Sequence, residues 1–511
     1  MQAKILLIHP PVAKPGEAPA GISQLAGALR GHGIDCLLLD ANLEALQFLL
    51  DSSTPNDDTW SVRAAKNRYR NLTALKTPKT YCNVDRYQKT VRDVNRVIEQ
   101  SSDSALINLS NYQEKSLSPL RSADLLQAAT CYTASPYYSY YKQRVAALIA
   151  EYRCTHIGIS LTYLSQALCS FALIGFLKHI HPQLTIIVGG GLITSWMSSP
   201  DWSNPFSEII DHLVAGPGEG PLLNLLGKEY RQRYAPDFSN LPMQEYLSPC
   251  TILPYAASTG CYWNKCSFCP EKAEGSSYST LQPELIQAEL DQLCLNWQPG
   301  LIHFLDNAVS PTLMRHLIDR PPGPHWYGFA RMDKQLADSN FCNALRRSGC
   351  VLLKLGLESG NQQVLDNMKK GITLGLASRV FRALHQAGIC TYVYLLFGAP
   401  QESPSHAVDT LNFCADHAEA ITFLNLAIFN LPRYSPESSQ CVTRDFYQGD
   451  LSLYSDFIHP LGWNRKAIRK FLDKDFKRHP AMTSIIQRDP PFFSSNHAPF
   501  FCMDEECETR K

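Results

Sequence analysis

Gly260-Cys-Tyr-Trp-Asn-Lys-Cys-Ser-Phe-Cys-Pro270 is the stretch on which the reading of this 511-residue chain turns. It follows a short apolar run, Thr251 to Pro254, and gathers Cys261, Cys266 and Cys269 in one loop. Three thiolates in a loop can hold three irons of a four-iron, four-sulfur cluster and leave the fourth iron open to a non-protein ligand. An open position makes such a site reactive. The same residues admit a second reading, because Cys266 and Cys269 form a Cys-x-x-Cys pair and Cys250, Cys502 or Cys507 would close a tetrahedral zinc shell.

Working outward from the loop, apolar runs and helical patterns alternate. Strands are expected at Thr251 to Pro254, Leu301 to Leu305, 325–329, Val351 to Leu357, Ile389 to Phe397 and Ala420 to Leu426. Helices are expected between them at 282–295, 311–319, 335–347, 374–387 and 404–416. Six strands with five intervening helices predict a partial barrel of parallel strands. Such barrels place chemistry at the carboxyl ends of their strands, so polar residues that break an apolar run there are the candidates.

Ahead of the loop the pattern is that of an open sheet. Ile5 to Ile8 reads as a buried strand, and Ile22, Leu25, Ala26 and Leu29 follow helical spacing before Gly31 and Gly33. Cys36 to Leu39 resumes a strand closed by Asp40. Residues from about 51 to 135 turn polar and read as an insertion, helical at Tyr87 to Ile98. The tyrosines at 137, 138, 140 and 141 that end it are expected to pack on the core. Ile157 to Leu161, a helix through Leu168 and Phe176, and the strand Thr185 to Val188 then lead straight into Gly189-Gly-Gly191. A second strand-to-glycine transition, Leu213 to Gly220, comes one helix later. Glycines at a strand's carboxyl end let backbone approach a bulky ligand at the mouth of a doubly wound sheet.

The cysteine loop resembles the cluster loop of radical S-adenosylmethionine enzymes, where the open iron is chelated by the cosubstrate's amino and carboxylate groups. The gap of two before Cys269 and the aromatic Phe268 match. The first gap holds four residues, Tyr262 to Lys265, in place of the usual three. The resemblance continues in order through Phe304-Leu-Asp-Asn307, Ala330-Arg331-Met-Asp333, Leu355-Gly-Leu-Glu-Ser-Gly360 with the segment to Gly371, and Phe397-Gly-Ala-Pro-Gln-Glu402. It implies that Phe268 lies near the cosubstrate adenine and that Asp306 pairs with its ammonium by a charge-assisted hydrogen bond. A helix cap is the competing role for Asp306, more naturally filled by Ser310. Arg331 would pair with the cosubstrate carboxylate or with Asp333. Glu358 and Ser359 would meet the ribose, and Gly398 would allow close approach on the adenine side.

The N-terminal half resembles the cobalamin-binding domain found ahead of many such barrels. The matching residues are Pro10-Pro11, Pro15, Pro19 and Gly21, then Gly189, Gly190 and Gly191, then Gly216 to Glu219. The signature that supplies an axial histidine to cobalt in other cobalamin proteins is missing, which implies binding with no protein histidine on cobalt. A degenerate Rossmann-like domain that only supports the barrel is the competing reading.

The expected architecture is therefore α/β. A Rossmann-like doubly wound cobalamin-binding domain (1–235) precedes a partial (β/α)6 radical S-adenosylmethionine barrel (245–428) and a C-terminal extension (429–511). The implied cofactors are a [4Fe-4S] cluster, S-adenosylmethionine and cobalamin. The implied activity is reductive cleavage of the cosubstrate to a 5′-deoxyadenosyl radical and methylation of an unactivated carbon. Rearrangement or cyclisation without methyl transfer is the alternative, and a non-catalytic zinc or iron-sulfur interaction protein a further one. A small-molecule or peptide substrate and an electron donor such as a flavodoxin or ferredoxin would be the partners.

Lys plus Arg equals Asp plus Glu, at 47 each, so no global field recruits nucleic acid or an anionic membrane. The apolar run after Lys4 is too short for a signal peptide, and the apolar helix from Ala167 is broken by Lys178 before it could span a bilayer. Seventeen cysteines without compact disulfide spacing suit reduced thiols, and the expected location is cytoplasmic. The tail Pro490 to Phe501, with Asn496 and His497, is expected either to cover the open barrel or to pack on its flank.

Overall fold

The computed structural model describes residues 4–445, 449–490 and 497–501, which divide into two compact units. The first runs to Thr251 and includes 449–452. The second runs from Ile252 and includes 453–490 and 497–501.

In the first unit five strands form one parallel sheet: β1 (Ile5–His9), β2 (Cys36–Asp40), β3 (His156–Ser160), β4 (Thr185–Gly189) and β5 (His212–Val214). Their order is β2-β1-β3-β4-β5. Ile5, Leu6, Leu7 and Ile8 are all buried, as expected for parallel strands covered on both faces. Helix α1 (Ala20–Gly31) carries the chain from β1 to β2, and the sheet then grows the other way through β3. Strand order therefore reverses beside β1, the place where doubly wound sheets open a ligand crevice.

The polar stretch 51–135 is more helical than its composition suggests, with helices at Thr59–Lys66, Arg68–Leu75 and Val84–Glu99 and a short hairpin, Ala105–Ile107 with Tyr112–Glu114. Its helix α2 (Ser122–Thr130) lies backbone-close against α3 (Leu164–Ile180): a Cβ at Gly175 would meet the Ala129 carbonyl oxygen at 1.8 Å. Tyr137, Tyr140 and Tyr141 are buried, and the Tyr141 hydroxyl donates to the Cys169 carbonyl at 3.0 Å, so these rings pack.

The second unit holds six parallel strands in sequential order: β6 (Ile252–Tyr255), β7 (Leu301–Phe304), β8 (His325–Ala330), β9 (Cys350–Glu358), β10 (Cys390–Phe397) and β11 (Phe423–Ile428). Ser310, Asp338, Thr373 and Ser403 cap the helices that return the chain to β8, β9, β10 and β11, each accepting a backbone N–H of the first turn. One further helix, Gln362–Asn367, follows β9 and is capped by Asn361. This is the connectivity of the expected partial barrel.

Among the described residues fourteen cysteines carry free thiols, while Cys82 is disulfide-bonded, which the expectation of reduced thiols did not include. Among them, too, no helix is long and apolar enough to cross a membrane. Within the tail, residues 491–496 lie outside the described residues, Asn496 among them. His497 is buried, stacked on Tyr392 at 5.0 Å and edge-on to Phe423 at 4.7 Å. Both rings belong to the amino-terminal parts of β10 and β11, so His497 packs away from the carboxyl ends.

Candidate cluster and cofactor sites

The cysteine loop leaves β6 and is clasped by the turn after helix Gln362–Asn367. Ser267 N–H donates to the Met368 carbonyl at 3.0 Å, and Trp263 Nε1 donates to the Lys369 carbonyl at 3.1 Å. Trp263 belongs to the lengthened gap between Cys261 and Cys266. Gly371 makes room for it, since a Cβ there would meet the indole at 2.0 Å. Cys266 is buried. Its thiol is pushed up by that burial, with Lys370 and Arg331 pulling the other way. Burial likewise raises Cys269, while the backbone N–H groups of Lys272 and Glu271 lower it.

Three thiols in one loop, two of them half-exposed and one flanked by cations, are the donor set that a cluster with an open iron needs. Among the described residues no three His, Cys, Asp or Glu side chains, these cysteines included, are already gathered to hold a metal ion. Of the three zinc-shell alternatives, Cys250 falls in the other unit, and Cys502 and Cys507 lie outside the described residues.

Asp306 ends β7 with 1% of its surface exposed. Its carboxylate accepts from Ser258 Oγ at 2.5 Å and from Ala257 N–H at 3.1 Å, tying β7 to the entry of the cysteine loop. Burial raises its pKa and these hydrogen bonds lower it. The helix-cap role falls to Ser310, which accepts from Leu313 N–H. Arg331, beyond β8, donates to the Lys370 carbonyl at 2.6 Å, lies 4.2 Å over the Trp263 ring and comes within 3.9 Å of Cys266 Sγ. Asp333 caps its own turn, accepting from Gln335 and Leu336 N–H.

Glu358 closes β9 with a φ of +67°, a conformation uncommon outside glycine. Its Oε1 pairs with Lys370 Nζ at 2.7 Å, and the two side chains are 11% and 9% exposed. Ser359 is fully buried, its hydroxyl 3.2 Å from Thr410 Oγ1 and accepting from Asn361 N–H. That hydroxyl ties the strand end to the helix that follows β10, Pro404–Asp416.

Gly398 follows β10 with φ +88°, and its N–H donates to Glu402 Oε2 at 2.5 Å. A Cβ at Gly398 would meet Ile468 at 2.4 Å, so the C-terminal segment, as well as any ligand, calls for glycine here. Trp463 Nε1 donates to the same Glu402 oxygen at 2.9 Å, and His459 Nε2 donates to the Ala399 carbonyl at 2.9 Å. Ala399 in turn packs with Val364, Met368, Leu396 and Phe268 of the cysteine loop. Burial pushes Glu402 up to about 7.

Lys370, Trp263, Glu402, His459 and Trp463 were not singled out from sequence. Lys370 was findable, since a buried strand-end glutamate demands a cation and Lys369-Lys370 follows within the same motif. Trp463 lies 61 residues beyond Glu402 and shares no pattern with it.

In the first unit the carboxyl ends of the strands surround a cavity of about 190 Å³ lined by Gly21, Gly158, Ser160, Gly189, Gly190, Gly216 and Glu219, with Leu7, Ile22 and Val214 as apolar wall. Gly190 has φ +108°, and a Cβ on it would meet the Leu161 carbonyl oxygen at 2.5 Å. Gly216 has φ +72° with nothing within 4 Å of where a Cβ would stand, so it faces open space. Gly191 starts helix α4 (Gly191–Met197), and Glu219 starts α5 (Glu219–Leu225). His9, at the carboxyl end of β1, carries no motif in the sequence; burial lowers its pKa while Asp40 opposes.

No family model matches the chain. The anaerobic magnesium-protoporphyrin IX monomethyl ester cyclase of Rubrivivax gelatinosus is 26% identical over 216 residues, 40% of this chain and 37% of its own length. The bacteriochlorophyllide d C-12(1)-methyltransferase of Chlorobaculum tepidum is 29% identical over 189 residues, 35% of this chain and 41% of its own length. The chain thus spans well under two thirds of these curated relatives. Among solved structures, the radical S-adenosylmethionine methyltransferase TsrM from Kitasatospora setae, with cobalamin and a [4Fe-4S] cluster bound, is similar at a TM-score of 0.57, with 15% identity over 100% of both chains. The fold of the chain is that of the radical S-adenosylmethionine proteins that carry a cobalamin-binding domain.

Proposed function

We propose that the chain is a cobalamin-dependent radical S-adenosylmethionine enzyme that methylates an unactivated carbon of a small-molecule or peptide substrate. When bound, a reduced cluster supplies the electron that cleaves S-adenosylmethionine, and cobalamin supplies the methyl group. Cys261, Cys266 and Cys269 would hold the cluster. Glu358, with Lys370 as its counter-charge, would accept from the cosubstrate ribose. Asp306 would fix the loop entry and present its carboxylate to the ammonium, and the turn 398–402 with Phe268 would form the adenine side. Gly189, Gly190, Gly191, Gly216 and Glu219 would line the cobalamin tail site.

The observation that carries this reading is the order of the strand ends. Cysteine loop, Asp306, Arg331, Glu358 and Gly398 follow five successive parallel strands, and Arg331, Lys370 and Phe268 interlock them. The glycine-lined cavity of the other unit favours methyl transfer over rearrangement or cyclisation. The reading includes a cytoplasmic setting in which a flavodoxin- or ferredoxin-type protein delivers single electrons.

Anaerobic purification followed by iron, zinc and cobalt quantification, with a dithionite-driven assay for 5′-deoxyadenosine, tests it. About four irons per chain, bound cobalt and nucleoside release are the expected result. Stoichiometric zinc without iron uptake refutes the proposal. Iron with nucleoside release but no cobalt after desalting refutes the methyl-transfer half alone.

A further inference from the structure

Resting on the cluster reading above, we infer that Arg331, held in place by Trp263, sets the reduction potential of the iron-sulfur site and is not a ligand of the cosubstrate carboxylate. Three contacts occupy the guanidinium. Nη2 donates to the Lys370 carbonyl at 2.6 Å, the plane lies 4.2 Å over the Trp263 ring, and Nη1 stands 3.9 Å from Cys266 Sγ. Asp333, two residues on, turns its Oδ1 to the N–H groups of Gln335 and Leu336. The other cation that acts on Cys266, Lys370, already has Glu358 as a partner at 2.7 Å. The guanidinium thus sets a cationic N–H donor beside this sulfur.

Trp263 lies in the four-residue gap between Cys261 and Cys266, and Gly371, with φ +71°, leaves it the space. A residue of that gap therefore supplies the platform on which the arginine lies. Stacking on an aromatic face suits guanidinium better than ammonium. The redox step is the gain of one electron by the cluster from a flavodoxin- or ferredoxin-type donor, with no proton taken up or released at Arg331. A positive N–H donor at a ligating sulfur favours the more electron-rich state, since charge and hydrogen bonds to sulfur are levers on cluster potential.

The test is an anaerobic potentiometric titration of the full-length reconstituted protein with dithionite, the reduced cluster read by EPR, for wild type, Arg331→Gln, Arg331→Lys and Trp263→Leu. With about four irons retained, Arg331→Gln should lower the reduced-to-oxidised ratio at a given potential about tenfold, which is 59 mV for one electron. Arg331→Lys should stay nearer wild type, and cosubstrate affinity in Arg331→Gln should stay within about threefold. A wild-type potential in Arg331→Gln, or equal shifts in the Gln and Lys variants, overturns the inference. If Arg331→Gln takes up no iron, Trp263→Leu decides: a lowered potential supports the role and an unchanged one overturns it. Wild-type protein that forms no four-iron cluster refutes the parent reading and this inference together.

Discussion

The two units build their strand ends by opposite means. In the first, side chains are removed: Gly158, Gly189, Gly190 and Gly216 leave backbone and a few apolar walls around the cavity. In the second, side chains are added and then paired, Asp306 with Ser258, Glu358 with Lys370, and Glu402 with Trp463. A backbone-lined crevice is specified by shape and should fail when volume is added. A mouth built from interlocked polar groups is specified by charge and should fail when one partner is neutralised or removed.

The sharpest contrast is at the cysteines. Cys261→Ala, Cys266→Ala or Cys269→Ala should abolish iron-dependent colour and all reductive cleavage, while cobalamin uptake by the first unit persists. Cys250→Ser should change neither. Loss of metal in the Cys250 variant would erase the distinction between the units and reinstate a zinc shell.

The next largest effect separates pairing from ligand contact. Glu358→Ala leaves the Lys370 ammonium buried without its partner and should cost about 3–5 kcal/mol in denaturant unfolding. Adding Lys370→Met should restore most of that stability, because a buried pair replaced by apolar groups is nearly neutral. Cosubstrate affinity should stay down roughly ten- to a hundredfold in both variants. Affinity that recovers with stability would make the carboxylate purely structural.

What could be read from sequence divides along the same line. Strands and the glycine transitions were legible because buried parallel strands are continuous apolar runs and glycine announces its own conformational use, as at Gly190 and Gly216. Cys261, Cys266, Cys269, Asp306, Arg331 and Glu358 were legible as types at positions. Their partners were not. That Asp306 grips Ala257 and Ser258, that Arg331 turns to Cys266, and that Trp463 and His459 reach the turn at 398–402 are contacts between segments distant in sequence, which no local spacing encodes. Ser359 is a further case: its hydroxyl meets Thr410, 51 residues away.

Volume is the matching test for the first unit. Gly190 cannot serve, because a Cβ there collides with the Leu161 backbone whether or not a ligand exists. Gly216 can, since its Cβ direction is open and asparagine tolerates its φ of +72°. Gly216→Asn should leave the thermal midpoint nearly unchanged and weaken cobalamin binding on the order of a hundredfold, about 2.7 kcal/mol, in a spectroscopic titration. Undiminished binding would show that the cavity is not where cobalamin sits.

The smallest effect concerns a carboxylate, Glu402, whose proton burial holds in the fold. Glu402 is 1% exposed, takes both of its hydrogen bonds on Oε2 and has none on Oε1 among the described residues. Burial pushes it up to about 7, so the folded chain binds this proton more tightly than the unfolded chain does. Its stabilising contribution is therefore complete below the ordinary glutamate range and is lost as pH rises through about 7. Between about pH 5.5 and 7.5 the loss should be on the order of 2 kcal/mol. Glu402→Gln keeps an acceptor for Gly398 and Trp463 without the ionisation, and its unfolding midpoint should be flatter across that window than the wild type's. A wild-type profile that does not fall with pH, or a Gln variant that falls equally, would show that Glu402 carries its charge in the fold. The C-terminal segment would then grip the turn at 398–402 through a true anion, as Lys370 grips Glu358.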